Sequence, residues 1–318
     1  MIIAQLFLLI IGFVALVKGA DIFVDGASSI AGNLKVSTLL ISLTVVTFGT
    51  SAPELAVSFN SMANGSGDIV LGNIIGSNII NNLLIIGICS LIHSLYLKHS
   101  TIKKELPLAI LITVIFAVIM SDSLFDGIDN MFTRGDGIIL LLIFMIFIYY
   151  LISLVKNKKE EEEKKVNYMP MKKAIIFTIL GIVALLIGSE FVVNGAVYLA
   201  TTFGVSERLI AMTIIAIGTG LPELVTSITA TKKGEYDMVI GNVVGSNIFN
   251  LGMVIGLPVT ILGGIGTINF SIIDLAALVI SVILLLMFSV DDHKISRYEG
   301  AIFLLLFTVY YCFVIFRG

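Results

Sequence analysis

The sequence predicts an all-α polytopic membrane protein of ten transmembrane helices, built as two inverted five-helix repeats. Three observations carry that expectation. Of the 318 residues, 58% are hydrophobic and 13% charged, with a mean hydropathy of +1.08, far more apolar than a soluble domain. Apolar stretches long enough to cross a bilayer fall at roughly 2–25, 38–62, 69–97, 105–121, 137–155, 172–200, 207–231, 238–264, 269–290 and 299–317. The chain also repeats itself: TVVTFGTSAPE at 44–54 returns as TIIAIGTGLPE at 213–223, and LGNIIGSNIIN at 71–81 returns as IGNVVGSNIFN at 240–250.

The repeat fixes the organisation. Gly49 and Gly218, Pro53 and Pro222, Glu54 and Glu223, Ser77 and Ser246, and Asn81 and Asn250 all stand 169 residues apart. The register extends back to Gly19 and Asp21, which align with Gly188 and Glu190. Five spans separate each element from its copy, and five is odd, so the second copy enters the membrane from the opposite side. Inverted repeats of this kind are a transporter architecture, with the substrate held where the repeats meet. The expected halves are 1–155 and 172–318, joined by a linker at 156–171 within the only low-complexity run, KNKKEEEEKKVNYMPMKK.

Charge sets the orientation. With the linker loop 156–173 placed in the cytoplasm, 15 of the 19 Lys and Arg residues fall on the inner side, leaving Arg134, Arg208, Arg317 and Lys18. Both termini then face outward, and a multi-pass plasma-membrane protein is expected. The apolar N-terminus lacks a basic start and its pattern recurs at 181–200, so it belongs to the fold rather than to a cleaved leader. Asp122, Asp126, Asp129 and Asp136 form an acidic external loop that reads as solvated surface. Cys89 and Cys312 lie in apolar segments with no partner spacing and read as small core residues.

Within this greasy background the repeated residues are polar. In Gly49-Thr50-Ser51-Ala52-Pro53-Glu54 and Gly218-Thr219-Gly220-Leu221-Pro222-Glu223, the proline removes a donor and breaks the helix. Carbonyls of Thr50 and Thr219, or of residues beside them, are freed at membrane depth, which is tolerated only where something satisfies them. Gly72, Asn73, Gly76, Ser77 and Asn81, with Gly241, Asn242, Gly245, Ser246 and Asn250, form a polar stripe on one helix face in each repeat. The four glycines suit close helix packing. Glu54 and Glu223 are different: a carboxylate at mid-membrane costs several kcal/mol, and the apolar parts of those helices hold no Lys or Arg. His93, His99 and His293 sit at loop edges, so a soft-metal site is poorly supported. Two carboxylates among hydroxyls, amides and carbonyls form the ligand set of a hard cation such as Ca²⁺. Protonated structural glutamates are the bland alternative. Enzyme chemistry is disfavoured, since no nucleophile stands with a base beside it.

GTSAPE followed by GNxxGSN, then GTxxPE followed by GNxxGSN, resembles the α-repeats of the sodium/calcium exchangers of the cation/calcium antiporter superfamily, in the prokaryotic form without a large regulatory loop. The resemblance covers the whole chain in helix count and repeat layout. It implies a central cluster of four cation sites with Glu54 and Glu223 as principal ligands shared by Ca²⁺ and Na⁺. It further implies carbonyls and hydroxyls from Thr50 and Thr219, carbonyls from Thr47 and Ala216, Na⁺ ligation by Ser51, Ser77 and Ser246, and Asn81 and Asn250 at the centre. Residues 2–25 and 172–200 would form a long pair that slides against the rest. Two positions depart from the family pattern: Gly220 where Ser is usual, and Asn250 where many relatives carry Asp. The expectation is therefore a secondary antiporter exchanging about 3 Na⁺ for one Ca²⁺ by alternating access, electrogenic by one charge. A proton/calcium antiporter and, less well supported, a cation channel are the alternatives. No cofactor, nucleic acid or obligate protein partner is expected; the partners are the two ions and the bilayer.

Overall fold

In lipid every backbone polar group needs an internal partner, which leaves helices as the form these apolar runs adopt. The computed structural model describes residues 2–125, 131–156, 168–204, 216–265 and 271–317. Arg208, Asp126 and Asp129, and most of the linker with Lys158, Lys159, Glu162, Lys164 and Lys165 lie outside the described residues. The helices are α1 (Ile2–Leu34), α2 (Thr38–Thr50), α3 (Ala52–Ala63), α4 (67–92), α5 (101–119), α6 (Arg134–Lys156), α7 (Met171–Thr202), α8 (Ala216–Thr219), α9 (Leu221–Lys232), α10 (Tyr236–Leu262), α11 (Ile272–Val290) and α12 (Arg297–Arg317). Among the described residues seven are long and apolar enough to span a bilayer, and α2 with α3 makes a further span bent by 45°. The chain is thus a polytopic membrane protein. Of the two other expected spans, 105–121 falls on α5, whose apolar α-helical part Leu106–Ile119 has 14 residues, and 207–231 is described only from Ala216.

The repeat is written into the backbone. Helix α2 breaks at Ser51 (φ −88°, ψ 9°) and its copy breaks at Gly220 (φ −83°, ψ 3°), each followed by a helix with proline in its first turn. The turn after α3 uses Gly65 at φ 72° and the turn after α9 uses Gly234 at φ 77°. The left-handed turn after α1 falls on Lys35 and that after α7 on Gly204, again equivalent positions. Helix α4 widens to a π-turn at Ile80–Ile85 and α10 does so at Asn250–Val254. Such bulges concentrate at functional sites.

Equivalent helices α1 and α7 run antiparallel. Gly12 faces Gly188, Gly19 faces Gly181, and Gly26 faces Ala174 and Thr178, so residue numbers climb on one helix as they fall on the other. Missing side chains let the backbones touch, the small-residue packing of membrane helices. Two short backbone pairings tie the halves together: β1 (Leu95–Tyr96) lies antiparallel to β2 (Lys294–Ile295), and Phe132 bridges Ile265. Tyr96 and Ile265 are equivalent in the repeat, so each half lends the same segment to the other.

Helices α4 and α10 form the centre. Their apolar windows are 78% and 94% buried, against 17–39% for the other five spans. Among the described residues, the packing role expected for the four stripe glycines is seen at Gly241 and Gly245, while the segment 205–215, which includes the repeat counterparts of Ser42 and Leu43, lies outside the described residues. A Cβ at Gly241 would meet Ser42 at 2.6 Å and one at Gly245 would meet Thr47 at 2.2 Å, whereas no described residue lies within 4 Å of one at Gly72 or Gly76. Cys89 is buried as expected, while Cys312 faces outward from α12; both are free.

The α1–α7 seam yields a direct test. A Cβ at Gly26 would sit 2.7 Å from the Thr178 nitrogen and 2.9 Å from the Ala174 carbonyl oxygen. Gly26→Ala is expected to destabilise the protein by about 1–3 kcal/mol, read as a lowered Tm in detergent, while Gly72→Ala leaves Tm unchanged. Equal Tm values for the two variants would contradict a close-packed seam.

Candidate cation site

Proline dictates where the site forms. Pro222 has no N–H to offer the carbonyl of Gly218, and that oxygen accepts instead from the Ser189 hydroxyl of α7 at 2.8 Å. The freed carbonyl is therefore the glycine's, one residue before the threonine, and it is already satisfied. The first-repeat counterpart of Ser189 is Ala20, which has no hydroxyl.

The break turns the following residues inward. Glu54 and Glu223, in the first turns of α3 and α9, are buried to 1% and 2% exposure. Ser51, at the break, donates to Glu223 Oε1 at 3.0 Å and sits 3.0 Å from the Ser246 hydroxyl. One oxygen of each carboxylate, Glu54 Oε2 and Glu223 Oε2, is buried with no hydrogen-bond partner, as are Ser77 Oγ and Asn250 Oδ1. Unpaired buried acceptors are costly. Four of them in one polar centre, with no basic side chain in ion-pair contact with either glutamate among the described residues, is the arrangement a cation completes.

Around the carboxylates the hydrogen bonds repeat with the chain. Thr50 donates to Asn242 Oδ1 at 3.2 Å, and Thr219 donates to Asn73 Oδ1 at 3.3 Å. Asn81 Nδ2 donates to Asn247 Oδ1 at 3.1 Å, and Asn250 Nδ2 donates to Asn78 Oδ1 at 3.0 Å. Asn78 and Asn247 are themselves equivalents and touch, through Asn78 Nδ2 to the Asn247 carbonyl at 3.3 Å, which places them at the meeting point of the repeats. Thr47 turns its hydroxyl back onto the Ser42 carbonyl at 2.9 Å. Ala216 opens the described part of α8.

Sequence reasoning missed the second layer. Asn78 and Asn247 stand in the repeated GSN motif but follow the candidate serine by one residue, so a one-face reading of the helix passes over them. Asn82 has no repeat signal at all, because Leu251 occupies its counterpart. It accepts from Asn247 Nδ2 at 2.6 Å and donates to Ser281 Oγ of α11 at 2.9 Å, anchoring the centre to an outer helix. The histidines expected at loop edges do lie there, His99 stacked on His293 with ring centres 5.4 Å apart, and take no part in the site. Among the described residues no three His, Cys, Asp or Glu side chains gather to hold a metal, so the site has two carboxylates and otherwise neutral oxygens.

The fold is that of a membrane protein with internally repeated helices, and this oxygen cluster is its candidate cation site. The model of the sodium/calcium exchanger protein family matches residues 4–153 and 173–316, and the chain belongs to that family. It is 37% identical to the CaxA protein of Alkalimonas amylolytica over 98% of each chain, and 31% identical over 99% of each to the sodium/calcium exchanger MaX1 of Methanosarcina acetivorans. Among solved structures it is similar to the sodium-calcium exchanger NCX_Mj soaked with 10 mM Na⁺ and no Ca²⁺, with a TM-score of 0.83, 32% identity and coverage of 97% of this chain and 98% of that one.

The asymmetric anchor is testable. Asn82→Leu copies the residue of the second repeat and leaves Asn247 Nδ2 without its acceptor. A loss of about 1–3 kcal/mol of stability is expected, read as a lower Tm; an unchanged Tm would show that Asn82 does not hold the centre in place.

Proposed function

We propose that this chain is a secondary active antiporter that exchanges Na⁺ for Ca²⁺ by alternating access, with a stoichiometry of about 3 Na⁺ to one Ca²⁺ that carries one net charge per cycle. The observation that carries this reading is the pair of buried glutamates from equivalent positions, each with an unpartnered oxygen and, among the described residues, neither with a basic partner. Two carboxylates neutralise one Ca²⁺ or two Na⁺. Overlapping ligands then exclude the two ions from each other, and mutual exclusion is exchange. A third Na⁺ rests on neutral oxygens, such as the Ser246 hydroxyl and the Ala216 carbonyl. The Ser51–Ser246 hydroxyl pair beside Glu223 favours Na⁺ over protons as the counter-ion, since hydroxyl oxygens suit a hard monovalent cation. Burial of both glutamates argues against a continuous pore.

The ligand roles are part of the proposal: Glu54 and Glu223 hold either ion; Thr50 and Thr219, with the Thr47 carbonyl, complete their shells; Ser51, Ser77 and Ser246 serve Na⁺; Asn81 and Asn250 form a neutral centre. Asn250 suits that task here, because its amide donates to Asn78 and leaves the oxygen free. The antiparallel α1–α7 pair, the equivalent breaks and the crossed strand pairings support the ten-helix inverted-repeat architecture, with halves at 1–155 and 172–318. The plasma-membrane location, with both termini outside, rests on the charge distribution.

The test is ⁴⁵Ca²⁺ uptake into proteoliposomes loaded with Na⁺, K⁺ or acid. Uptake driven by Na⁺ alone is expected, and Glu54→Gln or Glu223→Gln abolishes it, because one carboxylate does not balance a divalent ion in low dielectric. Gly220→Ser tests the departure from the family pattern. A Cβ there meets nothing closer than the Ile217 carbonyl oxygen at 3.6 Å, and by the repeat its hydroxyl would reach Glu54 and Ser77, both of which have unpartnered oxygens. That variant should lower the Na⁺ concentration for half-activation while leaving Ca²⁺ binding nearly unchanged. Near-normal uptake in either glutamine variant would overturn the site assignment.

A further inference from the structure

The two repeats agree at the carboxylates and disagree one turn away. In the second repeat Asn242 Nδ2 donates to Ser227 Oγ at 3.0 Å and lies 3.4 Å from the Glu223 carbonyl. Their equivalents are Asn73 and Ser58. There both Asn73 Nδ2 and Ser58 Oγ are buried with no partner. The difference is not a general loosening, because the oxygen of each asparagine accepts from its threonine at nearly the same distance, 3.2 and 3.3 Å. Only the bond from the amide nitrogen to the serine is made on one side and broken on the other.

The neighbouring backbone differs in the same sense. Gly241, Asn242 and Gly245 are buried, Gly241 and Gly245 against Ser42 and Thr47 of α2, whereas Gly72 is exposed and Asn73 and Gly76 are half-buried. On the face carrying Lys233, that side chain also pairs with Asp25 at 2.7 Å and Asp21 at 3.3 Å of α1. Asn64 is its counterpart on the other face, where no such ion pair is possible.

We infer that Asn242–Ser227 and Asn73–Ser58 are a matched pair of gate hydrogen bonds, made alternately, which set the balance between the conformation open on the Lys233 face and the one open on the Asn64 face. In this structure the Lys233 gate is closed and the Asn64 gate open. Ser58 and Asn73 then line the approach to Glu54, and Ser227 and Asn242 line the approach to Glu223 in the opposite conformation. Both serines act by positioning the asparagines and need not touch the ion.

The inference rests on the exchange reading, and the test separates the two. When a binding-competent state is only partly populated, apparent affinity falls by that fraction, so the ratio of half-saturating Ca²⁺ on the two faces tracks the conformational balance whichever state dominates. The measurement is Na⁺-driven ⁴⁵Ca²⁺ flux in vesicles of each orientation, for Ser58→Ala, Ser227→Ala and the double variant. Ser227→Ala should move the ratio about fivefold toward the conformation open on the Lys233 face, the worth of one buried hydrogen bond. Ser58→Ala should move it as far the other way, and the double variant should return close to wild type. A ratio that stays put, or moves in the same direction in both single variants, would overturn the gate while leaving exchange intact. Absence of Na⁺-driven flux in the wild type would overturn both.

Discussion

Everything at the centre of this molecule follows from two buried carboxylates that, among the described residues, have no basic side chain in ion-pair contact with them. A pair of ions inside a protein is stable only when its charges and hydrogen bonds balance. Glu54 and Glu223 find no such balance among the described residues. In the proposed exchange the protein supplies oxygens and the positive charge comes from a cation in solution. The breaks at Ser51 and Gly220, the prolines that cause them and the π-turns in α4 and α10 are the backbone devices that bring these oxygens to one place without stranding their own polar groups.

The asparagines show how a neutral scaffold is held around a charged centre. Asn78 and Asn247 touch across the meeting point of the repeats, and each receives an amide from the other repeat's central asparagine. An amide both donates and accepts, so a ring of them fixes the geometry without adding charge. That leaves the count of carboxylates at two, and in the proposed exchange the count decides which ions exclude each other. Asn250 is consistent with this design: an aspartate there would have no proton to donate to Asn78 and would bring a third negative charge.

Much of this was legible in the sequence because a duplicated chain is its own alignment. Glu54 and Glu223 stood out by residue type, and the Pro-Glu breaks by the cost of losing a donor in a membrane helix. The oppositely running equivalents followed from counting spans. Three things were not legible. The freed carbonyl of Gly218 finds Ser189 on a distant helix, which no local pattern encodes. Asn82 has no counterpart in the repeat, so symmetry is silent about it. The stripe glycines looked alike in both copies, yet among the described residues Gly241 and Gly245 are packed while Gly72 and Gly76 meet no neighbour, because one conformation of a duplicated protein need not treat its halves equally. A sequence with two similar halves carries no information about which half is closed.

The central claim is that Na⁺ and Ca²⁺ compete for the same two carboxylates. Equilibrium ⁴⁵Ca²⁺ binding to the purified protein across a Na⁺ titration tests it most directly. Full displacement of Ca²⁺ by Na⁺, with a Hill slope above one and a midpoint that rises with Ca²⁺ concentration, is the predicted result. Ca²⁺ that remains bound at saturating Na⁺ would mean that the ions occupy separate sites, and the account would be wrong.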